Sequence, residues 1–144
     1  MFSDEYFMRE ALKQARYAFE KDEVPVGAVI TFNDRIIAKA HNLTETLNDV
    51  TAHAEMQAFT SAANTLGGKY LKDCKIYITL EPCIMCAGAA SWTQIGHIIF
   101  GAYDSKKGFS QLQEKIVHPK TKIKGGIMEK ECSQLLKEFF ESKR

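Results

Sequence analysis

The sequence is short of several things, and each shortage closes off a class of protein. Four cysteines, Cys74, Cys83, Cys86 and Cys132, are too few for a disulfide scaffold in 144 residues. No stretch approaches the roughly 20 apolar residues of a membrane span, so no membrane partner is expected. The start, Met1-Phe2-Ser3-Asp4-Glu5-Tyr6, is acidic where a secretory signal is basic and then apolar. There is no linker, internal repeat or low-complexity run, and residues 1–144 read as one domain. Excess charge is missing too: 19 Lys and Arg against 18 Asp and Glu leave a net +1, which argues against nucleic-acid binding by bulk charge alone. With 45% hydrophobic and 26% charged residues the chain is neither disordered nor collagen-like. The expectation is a reduced, cytoplasmic chain, in which a Cys pair is metal-binding or catalytic before it is structural.

The near-zero net charge conceals an asymmetry. Residues 1–100 carry nine Lys/Arg against twelve Asp/Glu, a net of −3, and residues 101–144 carry ten against six, a net of +4. The excess is densest at Lys106, Lys107, Lys115, Lys120, Lys122 and Lys124, which have only Glu114 among them. Such a run is ordinarily a solvated surface; its other meaning is a local footprint for phosphates.

Hydrophobic periodicity orders the elements. Phe7, Ala11, Ala15, Ala18 and Phe19 predict an amphipathic helix over residues 4–22, with Asp4 and Glu5 suited to its N-terminus. Strands are expected at Val26–Phe32 and Arg35–His41, joined by a two-residue turn at Asn33-Asp34. A helix from an N-cap at Thr51 to Asn64 follows, stopped by Leu66-Gly67-Gly68. Then come a strand at Lys75–Leu80, a small-residue helix at Cys83–Trp92 and a strand at Ile95–Gly101 buried on both faces. A short helix at Leu112–Ile116, a strand near Lys122–Met128 and a helix over Glu129–Ser142 complete the chain. Alternating strands and helices imply an α/β sheet covered on both faces.

Two short motifs carry the chemistry: His53-Ala54-Glu55 at the start of one helix and Pro82-Cys83-Ile84-Met85-Cys86 at the start of the next. Cysteines at i and i+3 on one helical turn point the same way, so both thiolates reach one ion, with His53 as a third ligand. Zinc suits one nitrogen and two sulfurs, and three protein ligands leave the open position that catalytic zinc needs to activate water. Glu55 stands two residues past His53, and positions i and i+2 diverge by about 200° on a regular helix. Both therefore serve one site only at the helix end, where a carboxylate near zinc but not bound to it is a general acid/base. A redox Cys-x-x-Cys leaves His53 and Glu55 without a role, and a four-Cys structural knuckle lacks its second Cys pair. Cys74 and Cys132 read as small buried hydrophobes. His41, His97 and His118 read as structural or solvated, and Trp92, Phe139 and Phe140 as packing residues.

On these residues the sequence resembles the zinc-dependent cytidine deaminase-like superfamily and, within it, the bacterial tRNA adenosine deaminases, whose motif is H-x-E…P-C-x-x-C. Nearly the whole chain takes part, through Val24-Pro25-Val26-Gly27-Ala28, Asn42, residues 51–55, residues 80–89, Gly101-Ala102-Tyr103-Asp104-Ser105-Lys106 and Phe139-Phe140. The resemblance implies a three-layer α/β/α sandwich with a five-stranded mixed sheet, a homodimer, and one zinc per subunit on His53, Cys83 and Cys86. It makes Glu55 the proton shuttle and assigns substrate binding to Asn42, Val26, Gly27 and Ala54. The implied substrate is the wobble adenosine of a tRNA anticodon stem-loop, flipped from its stack, with RNA contacts at Asp104, Lys106, Lys107, Lys120, Phe139 and Phe140.

The sequence departs from that pattern at Gly108-Phe109-Ser110-Gln111, at His118-Pro119-Lys120, at Trp92 and in a short C-terminus, all in substrate-recognising regions. The rival reading is therefore a deaminase of a free base or nucleoside, guanine above all, with Phe109 and Trp92 closing over a small purine. A non-catalytic zinc or RNA-binding module is more remote, because its hallmark is a lost proton shuttle and Glu55 is present.

Overall fold

A computed structural model describes residues 2–112 and 115–143. Its elements are α1 (Asp4–Glu20), β1 (Gly27–Phe32), β2 (Arg35–His41), α2 (Ala54–Leu66), β3 (Cys74–Leu80), α3 (Ile84–Thr93), β4 (His97–Ala102), β5 (Lys122–Lys124) and α4 (Glu129–Glu141). The strands form one sheet in the order β2-β1-β3-β4-β5. β1 pairs antiparallel with β2 and β3, whereas β3, β4 and β5 run parallel. The sheet is therefore mixed, as expected.

Strand alternation divides the core between the two faces of the sheet. Ala28, Ile30, Ile76, Ile78, Ile98 and Phe100 meet Ala54, Ala58, Phe59 and Ala62 of α2 and Ala87 and Ala90 of α3. The intervening Val29, Tyr77 and Ile99, joined by Ala102 at the end of β4, meet Phe7, Met8, Ala11 and Leu12 of α1 and Cys132 of α4. This is the three-layer α/β/α sandwich. Among the described residues, no helix is long and apolar enough to cross a membrane.

Local chemistry explains where elements begin and end. Ser3 caps α1, its hydroxyl accepting the Tyr6 N–H at 3.1 Å. Asn33 and Asp34 both take positive φ, 51° and 59°, the twist-matched hairpin turn that these residue types tolerate. Gly67, at φ 70°, ends α2 in the left-handed cap. Gly27 permits a close approach: a Cβ there would lie 2.1 Å from the Ala11 carbonyl oxygen, so β1 runs directly against the α1 backbone.

Several boundaries differ from expectation. Helix α1 stops at Glu20, because Lys21 and Asp22 turn the chain, Asp22 with φ 65°. Thr51 is not the cap of α2; its N–H and hydroxyl both bond the Asp49 carboxylate, at 2.8 and 2.7 Å, and His53 takes the cap position. β5 ends at Lys124, since Gly125 and Gly126 (φ 86°) turn away. Of the helix expected at Leu112–Ile116, residues 113 and 114 lie outside the described residues, and the flanking chain instead forms a single 3₁₀ turn at Phe109–Gln111. Trp92 is not a packing residue: it stands 84% exposed on α3.

Candidate active site

The site lies where α2 and α3 begin. His53 and Cys83 are the residues immediately preceding these helices, both with extended backbones (φ −71°, ψ 154° and φ −74°, ψ 174°). Cys86 follows in the first turn of α3. The His53 Nδ1 lies 3.7 Å from the Cys83 Sγ and 3.5 Å from the Cys86 Sγ, and the three ligand atoms lie within 4.8 Å of one another. Because His53 is not itself helical, the 200° divergence between i and i+2 does not apply. His53 and Glu55 face the same cavity.

This donor set fits zinc. One nitrogen and two sulfurs suit a borderline-soft cation, and their mutual distances match ligands spread around one ion. Two helix N-termini converge there, adding positive potential that favours thiolates. The Cys83 thiol is pulled down to about 4, chiefly by its hydrogen bond with Cys86 and then by His53. The Cys86 thiol is pushed up, first by that hydrogen bond and then by burial. Its hydrogen bond to Cys83 raises the His53 pKa. Burial pushes the Glu55 carboxyl up to about 7 against its own backbone hydrogen bond and the His53 charge. Glu55 is 4% exposed, and a carboxyl poised near neutrality can both accept and donate a proton.

A cavity of about 660 Å³ opens on these residues. Val24, Val26, Leu80, Leu136 and Phe140 supply apolar lining, while Asn42, Thr44, Tyr103, Asp104, Lys106 and Lys107 supply polar groups. The side-chain oxygen of Asn42 accepts the Ala54 N–H at 3.0 Å, which fixes the amide orientation, since a backbone N–H can only donate. That bond also caps the start of α2. The two N–H donors of the Asn42 amide remain for the cavity that this residue lines.

Other expected site residues are placed differently. Gly27 does not line the cavity: it faces α1, and its N–H bonds the Thr79 hydroxyl at 3.1 Å. Ala54 is fully buried, its N–H spent on Asn42. Phe139 is buried edge-on against Phe19, whereas the neighbouring Phe140 is exposed and lines the cavity. Lys120 sits in a turn outside the cavity lining, its N–H on the His118 ring. Lys124 is paired with Asp4 at 3.0 Å, leaving Lys106 and Lys107 as the members of the basic run that line the cavity. Phe109 and Trp92, the residues expected to close over a small purine, do not line it either.

Two buried glutamates were missing from the sequence-based candidates. Glu81, just after β3, accepts the Asp104 N–H at 3.0 Å and the Ser110 N–H at 2.9 Å. Glu23, after α1, is fully buried and accepts from the Thr44 hydroxyl, the Glu45 N–H and both the N–H and hydroxyl of Thr46. Burial alone raises a carboxyl, but these hydrogen bonds outweigh it and hold Glu23 below the usual range. A depressed folded pKa gives stability that is complete above the unfolded value of about 4.3 and is lost as pH falls through the folded value. Glu23→Gln is expected to cost about 1–3 kcal/mol at neutral pH, with the gap to the wild type closing below about pH 4. Denaturant unfolding across pH measures this; a gap independent of pH contradicts the ionised clamp.

Residues 1–102 match the family model described as the cytidine and deoxycytidylate deaminase zinc-binding region. A tRNA-specific adenosine deaminase of Aquifex aeolicus is 48% identical over 145 residues, covering 97% of this chain and 95% of its own. A solved structure from work on tRNA:A34 deaminases, which edit A to I at the wobble position of transfer RNA, superposes with a TM-score of 0.85 at 40% identity. It covers 90% of this chain and 98% of its own. A guanine deaminase of Bacillus subtilis matches less, with a TM-score of 0.68 at 36% identity over 71% of this chain and 66% of its own. A half-buried His-Cys-Cys cluster beside a shielded glutamate, on this sheet and with these relatives, leaves one assignment: the chain belongs to the zinc-dependent cytidine deaminase-like superfamily, among the tRNA-specific adenosine deaminases.

Proposed function

We propose that the chain, as a single deaminase unit over residues 1–144, hydrolytically deaminates adenosine to inosine at the wobble position of a tRNA anticodon loop in the cytoplasm. One observation carries the proposal: the cavity lined by Glu55, His53 and Cys83 is also lined by two exposed lysines and an exposed aromatic, Lys106, Lys107 and Phe140. Phosphate-capable cations and a stacking surface beside a buried proton donor suit a splayed base still attached to its backbone. The near relatives named for tRNA support the same substrate.

His53, Cys83 and Cys86 would hold one zinc ion per subunit. When bound there, zinc would make water nucleophilic near neutral pH. The Asn42 amide donates to the base, and Val26 and Leu80 pack beside it. Glu55 takes a proton from the attacking water and passes it to the ring nitrogen as oxygen bonds to C6. Glu55 then takes the remaining proton from the newly added C6 hydroxyl and delivers it to the amine, so the C6–N bond breaks as the C6 carbonyl forms, and inosine and ammonia leave. Asp104 holds its loop by accepting the Lys106 and Lys107 N–H groups, each at 3.0 Å, and the two lysine side chains meet flanking phosphates.

The substrate is tested by ammonia release from guanine, adenine and cytosine set beside inosine formation in an anticodon stem-loop, at rising salt. The stem-loop reaction is expected to dominate and to weaken with salt. Two phosphate contacts give a log–log slope of about 1.4 in KM, at ~0.7 per contact for single strands. Turnover of guanine with an inert stem-loop supports the guanine deaminase reading instead.

The homodimer is proposed on the outer face of α3. Ile84, Gly88 and Trp92 recur at four-residue spacing, Ile84 and Trp92 are exposed, and residues 83–94 contain no charged side chain. A Cβ on Gly88 would meet nothing within 4 Å, so the face is flat and open. It adjoins the site, since α3 begins right after Cys83. Trp92→Glu is expected to weaken self-association by about 30-fold or more, ~2 kcal/mol, the usual scale for a buried interface tryptophan. Sedimentation velocity measures this, and an unchanged dimer places the interface elsewhere.

A further inference from the structure

We propose that Glu81 is a positioning residue that builds the substrate-recognising wall of the cavity. Its two carboxylate oxygens divide between the two ends of one loop: Oε1 accepts the Asp104 N–H at 3.0 Å and Oε2 accepts the Ser110 N–H at 2.9 Å. Glu81 is 2% exposed and has no Lys, Arg or His partner among the described residues; backbone N–H groups are its partners. The loop between these anchors presents Asp104, Ser105, Lys106 and Lys107 to the cavity.

The surrounding geometry fits a clamp of this kind. The Phe109 N–H bonds the Pro82 carbonyl at 2.9 Å, and Cys83 and Gly108 form an isolated antiparallel bridge. Gly108 lies against the carboxylate, where a Cβ would come 2.4 Å from the Glu81 Cδ and 2.5 Å from the Asp104 carbonyl oxygen. Residue 108 must therefore be glycine for the loop to close on Glu81. Asp104, held at its N–H by Glu81, in turn accepts the N–H groups of Lys106 and Lys107. Order passes from the buried Glu81 carboxyl group to two exposed lysines through hydrogen bonds between side-chain carboxyl oxygens and backbone N–H groups. Two side-chain oxygens serve the two anchors, whereas a glutamine turns an N–H₂ group toward one of two N–H donors.

The inference rests on the deaminase reading for its kinetic consequence, and its structural half stands alone. The test compares the zinc-loaded wild type with E81Q, E81D and G108A. The E81Q variant is expected to keep zinc, to lose amide-exchange protection at Asp104 and Ser110, and to raise KM for the stem-loop up to about 100-fold with a smaller change in kcat. E81D is expected to recover part of the protection and of the KM. G108A keeps the Glu81 residue but forces its carboxyl group and the loop apart, and it should reproduce the KM rise, with E81Q/G108A no worse than the more severe single variant. Protection at both amides unchanged in E81Q overturns the clamp whatever the substrate proves to be. Loss of protection with KM unchanged, or a loss of zinc that accounts for the whole effect, overturns the recognition role. Should the wild type act on free guanine and leave the stem-loop inert, the reading of substrate fails separately, and the KM comparison is made on guanine.

Discussion

Replacing Glu55 by Gln is expected to abolish deamination while zinc stays bound. The carboxyl is buried at the start of α2, beside the His-Cys-Cys cluster but outside it, so its removal takes away no ligand. The amide is isosteric and keeps the helix start packed, and it cannot accept the proton of the attacking water. General acid–base catalysis accounts for about 10²–10⁴ in rate, and here the same group serves two successive proton transfers. A loss at or beyond the upper end of that range is therefore expected. Inosine formation under single-turnover conditions, with metal analysis of the same sample, measures both halves. A variant that retains turnover removes Glu55 from the mechanism, and one that loses zinc reassigns it to the metal.

Cys86→Ser attacks the same reaction from the other side. Cys86 is 1% exposed, lies in the first turn of α3 and faces His53 Nδ1 at 3.5 Å. A hydroxyl is a poor zinc ligand at neutral pH. Changes around a ligand already cost about 10–100-fold in metal affinity, so loss of the ligand itself exceeds that range. Activity should disappear with the metal. Thermal stability should fall as well, since a metal present at 1,000 times its Kd contributes about 4 kcal/mol to the folded state. A chelator applied to the wild type should produce the same fall, reversed by added zinc. If Cys86→Ser binds one zinc per chain as tightly as the wild type, Cys86 is not a ligand.

The parts of this site that were legible in the sequence are those whose chemistry restricts residue type and spacing together. Zinc demands nitrogen and thiolate donors, so His53, Cys83 and Cys86 stood out, and Glu55 stood out by its nearness to His53. The sheet was legible for a similar reason: the apolar run Ile98-Ile99-Phe100 reads as a strand buried on both faces, and its residues divide between the two core faces. The loop anchors were not. Glu81 and Glu23 act on backbone N–H groups 22 to 29 residues away, and a backbone N–H carries no sequence signal. A glutamate directly between a buried strand and a proline was the one local clue to Glu81. The resemblance assigns both Val26 and Gly27 to the pocket, but only Val26 lines it; the missing side chain of Gly27 serves the contact with α1. The basic run from Lys106 to Lys124 reads as one feature along the chain. The fold splits it, turning Lys106 and Lys107 to the cavity, pairing Lys124 with Asp4 and leaving Lys120 in a separate turn.

The central claim is that the cluster at the starts of α2 and α3 deaminates a base within RNA. The most direct measurement gives the zinc-loaded protein an anticodon stem-loop with adenosine at the wobble position, then digests the RNA and quantifies its nucleosides. The account predicts inosine at that one position, with one ammonia released per inosine and none formed by E55Q. An unchanged stem-loop, under conditions in which the same sample deaminates free guanine, would contradict it.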